Sequence, residues 1–402
     1  MAGLLSRNLS PIFHYFSTSR LLQTQRSPFL REARCWSSEL ATAVKITAPR
    51  TSVSQPGLHT EDHLGLWYTL EPDVVKRLFG LGGIPKSYLL QCKTFAETCL
   101  MIRKPALTVI DYIKRSNLKL PPNKIMLYGE DGTGKSLSLV HIAQFLSEDG
   151  WLLVHVPWAT QWRRNFKEIA PSASVPGHYD HPLDSVIWLQ HFRSQNLELL
   201  KTLQLETSEQ YEWSRRDITE AGVPLMSLVE QGISRARYAS DCIKALTNEL
   251  KKHATAGRCK VALVADGINT FFCSKSRYRL EDLSYLEPQK FTIYQAFMNM
   301  LNNDWNNGIV VGSVDRLAND GQRRDSYLPR YVLRQMGWEA LDPFIPILVS
   351  NYNELEMQSI IDYYVDRHWL QNPEGHSEIG RHELVSLSGC NPYMLMNVTK
   401  SL

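Results

Sequence analysis

The stretch "KIMLYGEDGTGKSLSLVHIAQFL", Lys124 to Leu146, passes from a short apolar run through three glycines into a second apolar stretch of different period. Ile125-Met126-Leu127-Tyr128 reads as a buried strand. Leu137, Leu139, Val140, Ile142, Ala143, Phe145 and Leu146 recur with helical spacing. Between them, Gly129-Glu130-Asp131-Gly132-Thr133-Gly134-Lys135-Ser136 fits the pattern G-x-x-x-x-G-K-[ST]. Glycines there let consecutive backbone N–H groups curl round phosphate oxygens, and Lys135 adds a point charge. Ser136 offers a hydroxyl to Mg²⁺, while the following helix aims its positive end at the anion. At average residue usage, with Gly at ~7%, the pattern arises by chance in only about 1% of chains this long. The strand before it and the helix after it make a nucleotide site the reading. Its contacts are expected from the loop as a whole and from Leu137, the next residue.

Four more apolar runs have the length and composition of buried parallel strands: Trp151–Pro157, Lys260–Asp266, Gly308–Val314 and Phe344–Tyr352. With the first they predict an α/β fold of the P-loop NTPase, AAA-like kind, built on a five-stranded parallel sheet. A short crossover separates the first two, as a parallel βαβ unit allows. Before the sheet, residues 51–105 form a lead-in, and Leu100–Pro122 carries helical spacing at Leu107, Ile110 and Ile113. The core is expected over 106–352, with a large insertion at 158–258 whose second half is helical in pattern. From Asn353 a good N-cap with Glu356 three residues on starts a helix. Residues 353–402 therefore read as a C-terminal helical lid.

A P-loop enzyme needs a second carboxylate at the end of a neighbouring strand to order the Mg²⁺ shell. Asp266, closing "VALVAD", is that candidate, so Ser136 and Asp266 are the metal candidates. Many ATPases of this strand arrangement place a Glu next, to activate the water. Here Gly267-Ile268-Asn269-Thr270 follow, and the next acid is Glu281. The general base is missing from its expected place, so little or no hydrolysis is expected. Ser313, ending "GIVVGS", is placed to sense a γ-phosphate or to cap the strand. No N-K-x-D or T-K-x-D motif occurs, so spacing alone does not identify the base.

The chain has 402 residues, of which 43% are hydrophobic, enough for a large core. No apolar run reaches the roughly 20 residues of a membrane span. The first 31 residues hold Arg7, Arg20, Arg26 and Arg31 with five serines and no Asp, Glu or Lys. That is the composition of a mitochondrial transit peptide, and residues 1–50 are read as transit peptide plus flexible leader. They carry seven of the 44 basic and two of the 41 acidic residues, which leaves 37 against 39, a net −2, for the body. A body so near neutrality has no global pull on nucleic acid. The seven cysteines form no C-x-x-C pair. Cys92 and Cys99, if both helical, sit ~10 Å apart along the axis, too far for a disulfide. Free thiols and no zinc site are expected.

The loop "YGEDGTGKSLSLVH", "VEQGISRAR" (Val229–Arg237), "VADGIN", "NDW" (Asn303–Trp305) and above all "ALDPFIPILVSNYN" (Ala340–Asn353) resemble the death-associated protein three family. Its members are the nucleotide-binding component of the mitochondrial small ribosomal subunit, and the likeness spans about residues 65–402. The resemblance implies bound GTP or GDP with Mg²⁺ and a matrix location. It also implies contacts with small-subunit ribosomal RNA and neighbouring ribosomal proteins, room for a large-subunit contact, and a link to apoptosis. Carried over by position, Gly129 to Ser136 form the phosphate loop, Asp266 is the metal acid, and Arg103-Lys104-Pro105 is the stem before the cradle. Related folds often carry an acid after that Arg, where this chain has Lys104. Three basic-aromatic stretches are RNA candidates: Trp162–Lys167, Trp213–Arg216 and Arg323–Arg334. The rival expectation is an AAA-like NTPase acting as a mechanochemical or signalling switch.

Overall fold

The computed structural model describes residues 46–318 and 326–401. The Arg-rich leader, Cys35 and the first part of the Arg323–Arg334 stretch lie outside the described residues. Five strands form the central sheet: β1 (Asn123–Tyr128), β2 (Trp151–Val156), β3 (Lys260–Ala265), β4 (Gly308–Ser313) and β5 (Ile345–Leu348). All pairings are parallel, in the spatial order β5-β1-β4-β3-β2. The α/β class, the strand count and each strand's place in the sequence match the expectation.

Alternation along the strands explains why both faces are covered. Met126, Leu152, Val154, Val261, Leu263 and Val310 point into one core. Ile125, Leu127, Leu153, Ala262, Val264, Ile309 and Val311 point into the other. Helices Lys104–Arg115 and Lys135–Glu148 pack on the second face, burying Val109, Ile110, Ile113, Leu139, Ile142 and Leu146. Each such side chain contributes ~1.5–3 kcal/mol.

The insertion is not an appendage, because it supplies three helices of the layer over the first face, which Thr292–Asn299 and Pro329–Leu341 complete. Helices Pro182–Leu203, Met226–Ser234 and Ala239–Thr255 bury Trp188, Leu189, Phe192, Leu228, Cys242 and Leu246 against it. The sequence pattern places helix only in the second half of this region, and the structure adds Pro182–Leu203 in the first. Polar residues on its buried side hide the period. Asn196 donates to the Leu153 carbonyl at 2.9 Å and accepts from the Leu153 N–H at 2.7 Å. A helix side chain thereby pairs the open edge of β2, which no described strand covers.

Trp67–Thr69 and Cys99–Met101 form a small antiparallel pair in the lead-in. The C-terminal helices Glu354–Asp366, Glu378–Ser388 and Pro392–Val398 share a third core with it, around Trp67, Phe95, Tyr363 and Leu395. Cys92 lies in helix Lys86–Phe95 and Cys99 in the strand after it, so the two are not on one helix. Both are buried free thiols. No described helix is long and apolar enough to cross a membrane.

Register fixes where chemistry can occur. Ser313 is level with Leu127, and Gly312 with Ala265, so β1, β3 and β4 end together at the middle of the sheet. Gly129, Asp266 and Ser313 leave from that one end, where open parallel sheets bind ligands.

Candidate functional site

The loop between β1 and helix Lys135–Glu148 closes round its own lysine. Lys135 Nζ donates to the carbonyls of Gly129 at 2.9 Å and Glu130 at 2.6 Å. The side chain is buried, and burial lowers its pKa, while Asp315, Asp131 and Asp266 pull it back up. Gly132 has φ +83°, and a Cβ there would fall 2.6 Å from Tyr393 Cβ and 2.7 Å from Asn391 Oδ1. Only glycine allows that backbone and that approach.

Ser136 Oγ donates to Asp266 Oδ2 at 2.6 Å, and Ser313 donates to the other carboxylate oxygen. Gly267 N–H donates to Ser313 Oγ at 3.0 Å. Asp266 borders the cavity, yet the protein around it desolvates the carboxylate and raises its pKa, opposed by the two serines, Lys135 and the Gly267 N–H. A cationic ligand favours such a carboxylate in its ionised form. The pair Ser136–Asp266 therefore fits Mg²⁺ by donor chemistry. Ser313 is fully buried and absent from the cavity wall. It fixes Asp266 and does not face the ligand space. Gly267, at φ +72°, stands where a base-supplying Glu would be, with Thr160 Oγ1 3.2 Å from an added Cβ.

Asp315 belongs to this site and was not singled out in the sequence. Its carboxyl accepts from Leu317 N–H at 2.9 Å and is pushed up to about 6, chiefly by burial, with Asp266 and Asp131 adding to the rise and Lys135 opposing it. Arg316 pairs with Asp131 at 2.8 Å, across from the loop. The available signal was an acid two residues past Ser313, at the same strand end as Asp266.

A cavity of about 960 Å³ opens beside the loop, within the size of ligand clefts. Asp131, Gly132, Gly134, Lys135, Ser136, Leu137, Arg103 and Asp266 reach it, whereas Gly129, Glu130 and Thr133 form the back of the loop. Arg103 is a strut. It pairs with Glu356 at 2.9 and 3.0 Å, and donates to the carbonyls of Thr133 at 2.6 Å and Ser350 at 3.0 Å. Lys104 is exposed at the helix start. The lid meets the loop directly: Asn391 Nδ2 donates to the Asp131 carbonyl at 2.9 Å, and Tyr393 N–H to that of Gly132 at 3.2 Å. Among the described residues no group of three or more His, Cys, Asp or Glu is placed to hold a metal.

Two of the basic-aromatic stretches keep their tryptophans packed, whereas in the third Tyr331 is exposed beside Arg330. Trp162 is buried, and Arg163 is spent on the carbonyls of Lys275 and Ala318 at 2.8 and 2.5 Å. Trp213 packs on Tyr211 and donates to Thr219 Oγ1 at 2.9 Å, while Arg215 and Arg216 are exposed at the tip of that hairpin. Neither tryptophan is free to stack on a base; the exposed arginines offer charge alone.

Residues 100–398 match the family described as mitochondrial ribosomal death-associated protein 3. The chain belongs to this family. It is 38% identical over 356 residues to small ribosomal subunit protein mS29 of Mus musculus, covering 89% of this chain and 90% of that one. The Bos taurus protein of the same name is 38% identical over 346 residues, covering 86% of each. The Neurospora crassa protein of that name is 23% identical over 276 residues, covering 65% of this chain and 56% of that one. The family resemblance carried by the loop and by Ala340–Asn353 is thereby established, and with it the mitochondrial location.

Proposed function

We propose that this chain is a structural component of the mitochondrial small ribosomal subunit whose AAA-like P-loop core holds GTP or GDP with Mg²⁺ and turns it over little or not at all. The relatives' names support the ribosomal part, with ribosomal RNA and neighbouring proteins as partners. The nucleotide part rests on the convergence of Lys135, Ser136 and Asp266 at one strand end. Bound there, Mg²⁺ would neutralise phosphate charge. Lys135 would turn from its two loop carbonyls to the phosphates, and Asp266 would hold the Ser136 hydroxyl. The observation that carries low turnover is Gly267, left-handed and followed by no acid, with Ser313 already engaged by Asp266.

The rival reading, an NTPase switch, draws support from Asp315, a carboxyl pushed to about 6 beside Lys135 and Asp266. Purified protein separates the two. Nucleotide co-purifying with the chain, a hydrolysis rate near background and co-sedimentation with small subunits at high salt are expected. A rate of ~1 s⁻¹ or more, lost in Asp315→Asn, would transfer the assignment to the switch.

A further inference from the structure

The cavity does not end at the phosphate loop. Its wall continues past Asp266 to the end of β2, where Trp158 and Gln161 are joined by Asp184, Ile187, Trp188 and His191. The last four recur at steps of three and four along helix Pro182–Leu203, so they form one stripe of that helix. β2 is an edge strand, three places from β1 in the sheet. At ~4.7–4.9 Å per strand, this arm of the cavity lies roughly 14 Å to the side of the strand that carries the phosphate loop. The C-terminal helices follow β5, at the opposite edge.

One group in this arm has half of its bonding unmet. Asp184 is 2% exposed and lines the cavity. Its Oδ2 accepts from the Lys167 N–H at 2.9 Å, while its Oδ1 has no partner among the described residues. That oxygen keeps accessible surface, and the residue opens on the cavity it lines. Burial raises the pKa of Asp184, opposed by the Lys167 N–H and then by the Lys167 charge, with no ion pair formed. His191 is pushed down to about 4 by burial, so it is neutral near pH 7 and supplies no counter-charge. A buried carboxylate with an open side is costly unless a cation meets it.

The walls decide what kind of cation. Trp158 is 40% exposed, and its ring meets no other aromatic among the described residues. An open indole face attracts a cationic head, while Ile187 and Trp188 offer apolar surface to a stem. A metal ion would gain nothing from such walls, and a single carboxylate is too few ligands for one.

We infer that this arm binds an organic cation, an alkylguanidinium or alkylammonium whose N–H groups donate to Asp184 Oδ1 and whose head lies against the Trp158 ring. A free polyamine and an Arg or Lys side chain of a neighbouring protein both carry this chemistry. The site uses none of the residues that would hold phosphate, so it stands apart from the nucleotide reading.

The test is an NMR titration of the full chain at pH 7.5 with butylguanidinium and with butylurea, its neutral counterpart of the same shape. Wild type should bind butylguanidinium about tenfold to a hundredfold more tightly, the range of one charged hydrogen bond to a buried acceptor. Asp184→Asn keeps an acceptor for the Lys167 N–H and should bring the two probes to within about threefold. Trp158→Ala should weaken butylguanidinium by about threefold to tenfold, and Asp266→Asn should leave it within threefold of wild type. No saturable binding of butylguanidinium, equal binding of the two probes by wild type, or a loss in Asp266→Asn that Asp184→Asn does not share overturns the inference. Should Asp184→Asn fail to fold, the wild-type preference and Trp158→Ala still decide, since an unchanged affinity in Trp158→Ala overturns the site as placed. N-acetyl-arginine methylamide separates the sources: affinity within threefold of butylguanidinium supports a neighbour's side chain, and affinity at least tenfold weaker supports a free cation.

Discussion

Replacing Arg103 with methionine removes the group that ties the glycine-rich loop to the C-terminal helices. Arg103 is 7% exposed, and Glu356, its partner, is 6% exposed. Glu356 also accepts from Asn353 N–H at 3.1 Å as the capping-box acid of its helix. In Arg103→Met that backbone contact alone supports a buried carboxylate, and the Thr133 carbonyl loses its 2.6 Å donor. Methionine keeps most of the stem's packing, so the loss is largely electrostatic. Breaking a buried pair from one side costs about 3–5 kcal/mol. Urea unfolding at pH 7 should show a loss of that size. Arg103→Met combined with Glu356→Gln should lose less than the two single changes summed, because the amide needs no counter-charge; a double-mutant cycle reads the coupling. A single-variant loss below about 1 kcal/mol would refute the strut.

Lys135→Ala should abolish nucleotide retention, because the phosphates lose their one side-chain cation from the loop; wild-type stoichiometry extracted from the purified variant would contradict this. Deletion of residues 1–50 should leave the protein in the cytosol with nucleotide binding intact, and import of the truncated chain into isolated mitochondria at normal rates would refute the leader's role. Asp315→Asn should flatten the acid limb of stability. The folded carboxyl titrates at about 6 against an ordinary 3.8, so the folded state holds its proton more tightly and stability falls as pH rises from about 4 to 6. At 1.36 kcal/mol per pH unit the fall is at most about 3 kcal/mol. Asparagine keeps the acceptor for Leu317 N–H, so the variant should be the more stable one at pH 7.5, and a wild-type slope between pH 4 and 7 would refute it.

What the sequence shows and hides divides along physical lines. The five strands were legible because each is a short, dense apolar run buried on both sides, and because the loop motif fixed the identity of the first. The helix starting at Glu354 was legible through its cap, which forms as written, with Asn353 Oδ1 accepting from Glu356 N–H at 2.8 Å. Helix Pro182–Leu203 was hidden because His191, Gln195 and Asn196 are buried on its inner side, and a polar residue that pairs a strand edge looks like one that faces water. Trp162 and Trp213 misled in the opposite sense, since aromatics beside arginines read as a nucleic-acid surface until the rings prove to be packed. Arg103 was expected beside the nucleotide, and its partners Glu356 and Ser350 lie some 250 positions away, beyond any local pattern. Asn391 is an N-cap whose side chain also reaches the loop, a second role no local pattern shows.

The state of the loop bears on why such a chain would hold a nucleotide at all. A motor or switch gains from a lid that swings, since opening releases product and resets the site. Here the lid is bound to the loop by Asn391 and Tyr393, at about 0.5–1.5 kcal/mol per hydrogen bond. It is also bound to the lead-in by a shared apolar core. Trp67 stacks on Tyr363 at 4.0 Å between centroids, and the Trp67 indole N–H donates to Ser359 at 3.0 Å. Swinging the lid away would expose Trp67, Tyr363 and Leu395 together, each worth ~1.5–3 kcal/mol of burial. The opening cost therefore exceeds what loop contacts alone would set, and the cavity beside the loop is walled by the lead-in and the C-terminal helices together. A ligand held at a hundred times its dissociation constant adds ~2.7 kcal/mol to the folded state. In the proposed complex that gain would be spread over the lead-in, the loop and the lid at once. In a chain with no acid directly after Asp266, a nucleotide bound as proposed would act as a fixed part of the fold, and turnover would only remove it.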